Sequence, residues 1–209
     1  MELEDESERP ESLLTVFKKR LQPAIDRVAK HAHGMGLTPN TITILGFLMA
    51  IVSAVHYGLR LSVALAAVFC LLSGFCDALD GAVATLFGES TAFGGFLDSL
   101  LDRYSDAFII LGIIIGRFCE PLWGLPALIG TFMVSYARAR AEAAGVSMSS
   151  IGLAERADRV IIISVSSFLT LLNENVLSYG MVLLAVLTQI TVLQRLYHVW
   201  KVTKLRRVS

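Results

Sequence analysis

The sequence predicts an all-α membrane protein: six transmembrane helices preceded by an N-terminal amphipathic interfacial helix. Three observations carry that expectation. Hydrophobic residues make up 55% of the 209-residue chain and the mean hydropathy is +0.65, while only 17% of residues are charged, against about a quarter in soluble domains. Six apolar segments, at 41–58, 60–86, 93–116, 122–142, 157–173 and 176–198, mostly reach the roughly 20 residues a helix needs to cross a bilayer. Ahead of them, residues 12–36 combine an apolar stripe with basic residues placed off it.

Residues 1–11, MELEDESERPE, are acidic and lack the basic start and apolar core of a signal peptide, so a disordered tail is expected. In 12–36, Leu13, Phe17, Leu21, Ala24, Ile25 and Val28 recur at helical spacing with Lys18, Lys19, Arg27 and Lys30 largely elsewhere, the pattern of a helix lying on the membrane surface. Pro23 predicts a kink or a division of that helix. His31 and His33 read as interfacial polar residues at its end. The six-helix domain is expected over 37–200, followed by a basic cytoplasmic tail at 201–209. The second span, 60–86, would be about 40 Å long at 1.5 Å per residue, so its end projects beyond the hydrocarbon and carries Asp77 and Asp80 with it.

Orientation follows from where the cations lie. The N-terminal segment, 138–159 and the C-terminal KVTKLRRVS are rich in Lys and Arg, whereas the opposite connections contribute only Arg60 and Arg117. A multi-pass protein of the cell membrane with both termini in the cytoplasm is predicted, its FGESTAFGG hairpin facing the same side. Cys70, Cys76 and Cys119 have no metal-ligand spacing and read as small buried hydrophobes. Tyr57, Trp123, Tyr197 and Trp200 fall near span ends, as aromatic anchors do. The formal net charge is zero, and no signal for nucleic acid is present.

Packing does not ask for the aspartates. Five of the eight in the chain fall between Asp77 and Asp106, where an unpaired carboxylate at membrane depth costs several kcal/mol (about 3 on insertion scales) unless a polar cavity, a cation or a metal receives it. Asp77 and Asp80 are three apart, and Asp98, Asp102 and Asp106 follow at intervals of four, so each set shares a helix face. The ligand atoms on offer are oxygens only, which points to Mg²⁺ or Mn²⁺ and, through such ions, to phosphate. Gly81 and Ala84 on one face, and Gly94 and Gly95 on the other, leave room for a bulky ligand to approach.

Asp77, Asp80, Gly81, Ala84, Gly94, Asp98 and Asp102 resemble, with every gap matched, the signature of the CDP-alcohol phosphotransferase family. The resemblance covers nearly the whole chain, and the family's fold is likewise six transmembrane helices after an interfacial one. Thr85 stands where the family has arginine. The resemblance implies transfer of a phosphatidyl-type group from a CDP-linked lipid to an alcohol, with CMP released. It implies Asp77, Asp80 and Asp98 as metal ligands, and Asp102 as a further ligand or as the catalytic base. Thr38, Pro39, Asn40 and Thr43 resemble the family's Pro-Asn signature, where Asn40 and Thr43 join Asp77, Gly81, Ala84 and Thr85 on the nucleotide side; Thr-Pro-Asn is also an ordinary helix start. Homodimerisation is implied in the same way.

A second group of residues bears on the acceptor. Arg138, Arg140, Arg156 and Arg159 lie near the membrane surface on the acidic side, and Arg195 falls in an otherwise apolar span. Part of this is positive-inside charge, but a buried arginine needs an anion, and phosphate suits its fork. These segments resemble the branch of the family that makes phosphatidylinositol phosphate in bacteria and archaetidylinositol phosphate in archaea. That likeness implies an acceptor-phosphate pocket for inositol 1-phosphate built from Ser135, Arg138, Arg156 and Arg195, with Arg140 and Arg159 beside them. Donors with ether-linked and ester-linked chains both remain open. Glycerol 3-phosphate is the alternative acceptor, and a divalent-cation transporter the alternative from another class, although the latter would place its acids near the midplane and often show two similar halves.

Overall fold

A computed structural model describes residues 13–148 and 151–206, with side chains over 22–148 and 151–205. The acidic segment 1–11, the side chains of Leu13, Phe17, Lys18, Lys19 and Leu21, and residues 207–209 of the basic tail therefore lie outside the description. Among the described residues every regular element is helical: α1 (Leu13–Gly34), α2 (Pro39–Gly58), α3 (Val63–Phe87), α4 (Ala92–Ile115), α5 (Pro121–Ala143), α6 (Arg156–Leu169) and α7 (Val176–Arg206).

Local chemistry explains the boundaries. Thr38, Ser62 and Thr91 cap α2, α3 and α4 by accepting a backbone N–H in the first turn. Glu155 and Asp158 form a reciprocal capping box at the start of α6. Gly88, with φ +67°, ends α3 in the left-handed conformation that costs glycine least, and so turns the chain back into α4. α1 runs through Pro23 without division. Its apolar stripe is shared between two environments: Ala29 and Ala32 are buried against Ile42, Leu79 and Val83, whereas Ala24 and Val28 are exposed. At its end the His33 ring stacks on Phe87 at 3.7 Å and its Nε2 pairs with Glu89 at 3.0 Å, fastening α1 to the α3–α4 turn.

By length and composition, α2, α3 and α7 can each cross a membrane. α6 departs from the expected span at 157–173: it stops at Leu169 after 14 residues, about 21 Å, short of the ~30 Å hydrocarbon core. The Thr170 hydroxyl turns the chain there, donating to Ser166 O and accepting from Leu177 N. α7 has 31 residues and runs beyond the expected end at 198.

The core joins α2, α4, α6 and α7 through Tyr57, Ile110, Ile163 and Leu184. Two polar pairs lie inside it: Tyr57 Oη with Ser167 Oγ at 2.6 Å, and Ser53 Oγ donating to Ala66 O at 2.7 Å. α2 and α4 touch backbone to backbone: a Cβ on Gly112 would lie 2.5 Å from Ala54 O and 2.9 Å from its Cα. Gly112→Leu is therefore expected to cost about 3 kcal/mol, the upper end of the usual overpacking range, read as a lower unfolding temperature in detergent.

Candidate active site

The Gly88 turn lays α4 beside the end of α3, and the acidic faces of the two helices meet. Carboxylate oxygens of Asp77, Asp98 and Asp102 lie within 4.8 Å of one another. Asp98 Oδ1 is buried without a hydrogen-bond partner, a costly state for a carboxylate oxygen and one that a cation relieves. Three clustered carboxylates and no nitrogen or sulfur donor make a set that fits a hard divalent cation.

Asp80, expected among the metal ligands, stands apart from this group. It is 5% exposed and its Oδ2 accepts a 2.5 Å hydrogen bond from Thr43 Oγ1, a hydroxyl that also reaches Pro39 O at 3.0 Å. Three residues advance a helix by only about 300°, so Asp80 is offset from Asp77 and faces α2. It nevertheless lines a cavity of about 160 Å³ between α2, α3 and α4 with Asn40, Thr43, Gly81, Ala84 and Gly94. Of the expected nucleotide-side residues, Asn40, Thr43, Gly81 and Ala84 are thus gathered there; Asp77 lines the cavity on the other side of the carboxylates, and Thr85, whose Oγ1 donates to Gly81 O at 2.8 Å within its own helix, stands outside the lining. A Cβ on Gly81 would meet nothing within 4 Å. Gly81→Val should accordingly fold as well as the parent yet narrow the cavity, raising the KM for a CDP-linked lipid by about tenfold or more, ~1.4 kcal/mol; initial rates and thermal unfolding together check this.

A larger cavity, about 560 Å³, opens on the other side of the carboxylates, lined by α3, α4, α5, α6 and α7. Asp98 lines both cavities. Ser135, Arg138, Arg156, Arg159 and Arg195 contribute to the larger one, as expected. Arg195, 2% exposed, donates from Nη1 to Val134 O at 2.5 Å and from Nε to Ile151 O at 2.9 Å, so its charge is held at the cavity wall by backbone carbonyls. Arg138 is half exposed and its Nε pairs with Glu142 at 2.9 Å.

Three of the arginines differ from the simple expectation of phosphate ligands. Arg140 is exposed and outside the cavity lining, because two residues past Arg138 a helix has turned about 200°. Arg156 already has anionic partners: Nη1 lies 2.5 Å from Asp102 Oδ1 and 2.6 Å from Asp77 Oδ1. Arg159, 4% exposed, is committed to Asp106 Oδ2 at 2.5 Å and Ala154 O at 3.0 Å. The structure also adds cavity residues that were not foreseen, Arg103, Glu142 and Glu155. Arg103 Nη1 donates to Ser99 O at 2.6 Å and stands 3.9 Å from Asp102 Oδ2. The only signal for Glu142 was its position four residues after Arg138, where helical neighbours pair.

Comparison with known proteins agrees with this geometry. A family model described as CDP-alcohol phosphatidyltransferase matches residues 36–200. The archaetidylinositol phosphate synthase of Pyrococcus horikoshii is 39% identical over 191 residues, covering 90% of this chain and 97% of that protein. The phosphatidylinositol phosphate synthase of Mycobacterium tuberculosis, crystallised with CDP-DAG bound, superposes with a TM-score of 0.74 at 32% identity, covering 84% of this chain and 93% of the other. The same enzyme crystallised with manganese and citrate gives the same TM-score and identity, covering 84% of this chain and 88% of the other. The fold, the acidic cluster and these likenesses together establish that the chain is an enzyme belonging to the CDP-alcohol phosphatidyltransferase family.

Proposed function

We propose that the protein transfers a phosphatidyl-type group from a CDP-linked lipid, CDP-archaeol or CDP-diacylglycerol, to inositol 1-phosphate, with release of CMP, as a step of phospholipid biosynthesis. The observation that carries this reading is the placement of three carboxylates between two unlike cavities. One is lined by glycines, alanine and small polar groups with Asp80 and Glu89; the other gathers five arginines, with Glu142 and Glu155 among them. The first suits a nucleotide diphosphate approaching the backbone closely, and the second suits an acceptor that carries its own phosphate. The likeness to an archaetidylinositol phosphate synthase and to a phosphatidylinositol phosphate synthase supports the acceptor.

Asp77, Asp98 and Asp102 would hold Mg²⁺ or Mn²⁺, with Asp80 of α3 turned behind them toward Thr43 of α2. The cation supplies charge neutralisation to the diphosphate and to the departing CMP. Asp102 faces the acceptor cavity and takes the proton of the attacking hydroxyl. That hydroxyl oxygen bonds to the lipid-side phosphorus, the phosphorus–oxygen bond to CMP breaks, and CMP carries away the electron pair. Arg138 and Arg195, with Arg156 at the acidic edge, bind the acceptor's own phosphate and so present its hydroxyl to Asp102. Asn40, Thr43 and Gly81 receive the cytidine end.

In the membrane, α2 to α7 form the six-helix bundle, the exposed face of α1 lies against membrane lipids, and the site opens to the cytoplasm together with both termini. A homodimer is the expected assembly. The test is CMP release from purified protein given CDP-archaeol or CDP-diacylglycerol with inositol 1-phosphate or glycerol 3-phosphate, with and without Mg²⁺. Release dependent on inositol 1-phosphate and Mg²⁺ supports the reading. Release with glycerol 3-phosphate alone reassigns the acceptor.

A further inference from the structure

Asp106 belongs neither to the carboxylate cluster nor to the lining of either cavity, yet it is only 7% exposed and lies one turn beyond Asp102 on α4. Its Oδ2 accepts from Arg159 Nη2 at 2.5 Å, and its Oδ1 stands 4.0 Å from Arg156 Nε. Arg159 in turn donates from Nη1 to Ala154 O at 3.0 Å. Ala154 is fastened from the other side, its N–H and that of Leu153 donating to Thr191 Oγ1 of α7 at 3.1 and 3.0 Å. The bonds run from α4 through Arg159 to the α5–α6 connection and on to α7, and Arg156 follows Ala154 by two residues.

A buried ion pair is a poor source of stability, because desolvating two charges cancels most of their attraction and a well-packed apolar pair does as well. What this one supplies is direction. Arg159 holds Asp106 so that its Oδ1 stands 4.0 Å from Arg156 Nε, a third anionic point that orients the guanidinium whose Nη1 meets Asp77 and Asp102. We propose that Asp106 and Arg159 are positioning residues that set the Arg156 guanidinium against Asp77 and Asp102, and thereby fix where the acceptor's phosphate sits relative to the hydroxyl Asp102 deprotonates. This rests on the reading of Arg156 as an acceptor-phosphate ligand, and it reassigns Arg159 from ligand to support.

Asp106→Asn keeps the shape of the side chain and an oxygen for Arg159 but removes the charge. The expected result is a rise in KM for inositol 1-phosphate, up to about 100-fold for a displacement near 1 Å, with KM for the CDP-lipid and the unfolding temperature unchanged. The double variant Asp106→Leu, Arg159→Met replaces the pair by apolar side chains and should fold, with the same selective rise. Calorimetric binding of inositol 1-phosphate should weaken in step. Acceptor KM unchanged in either folded variant, or KM raised equally for both substrates, would overturn the positioning role. Absence of CMP release by the parent protein with inositol 1-phosphate would instead overturn the function on which it rests.

Discussion

Asp102→Asn is expected to lower turnover by about 100- to 10,000-fold, the contribution of a positioned general base, beyond the weaker CDP-lipid binding that follows from removing one of three charged cation ligands. Asparagine has the size of the carboxylate and still offers Arg156 an oxygen, so the 2.5 Å contact with Nη1 has a substitute. What it lacks is the basicity to accept the hydroxyl proton as the new phosphorus–oxygen bond forms. Single-turnover CMP release, measured alongside equilibrium binding of the CDP-lipid, separates the two effects. Turnover near that of the parent protein refutes the base assignment.

Asp98→Asn is expected to act differently and on more quantities. Asp98 is the member of the acidic group that lines both cavities, and its Oδ1 has no protein partner. Exchanging this carboxylate for an amide removes a charged ligand from a set of three, so the loss should exceed the roughly 10–100-fold that follows when only outer-shell partners of metal ligands are removed. Mn²⁺ binding followed by electron paramagnetic resonance should weaken in parallel with the rate, and both substrates should bind less well. An unaltered Mn²⁺ titration with this variant would show that the cation is held elsewhere.

Much of the site was legible because it depends on helical register alone. Asp98 and Asp102 share a face wherever α4 lies, and a short Gly-containing turn after Asp77 and Asp80 has little choice but to fold α4 back beside α3. Most helices followed from apolar length, and the start of α2 from its Thr-Pro-Asn sequence. What was not legible depends on how one helix is rotated against another. The bond from Thr43 to Asp80 requires knowing which face α2 turns to α3, and the capture of Arg156 by Asp77 and Asp102 requires knowing that the start of α6 abuts both α3 and α4. Arg138 and Arg140 look alike as cations in a row, and only the helix that carries them separates a cavity residue from an exposed one. The early end of α6 was hidden because Leu171 and Leu172 continue the apolar run past the turn that Thr170 makes.

The shared wall at Asp98 has a kinetic consequence. Because each cavity reaches the carboxylates from its own side, neither substrate has to depart before the other arrives, and a ternary complex fits without any covalent lipid–enzyme intermediate. Double-reciprocal plots at several fixed concentrations of the second substrate should intersect, whereas a double displacement would draw them parallel.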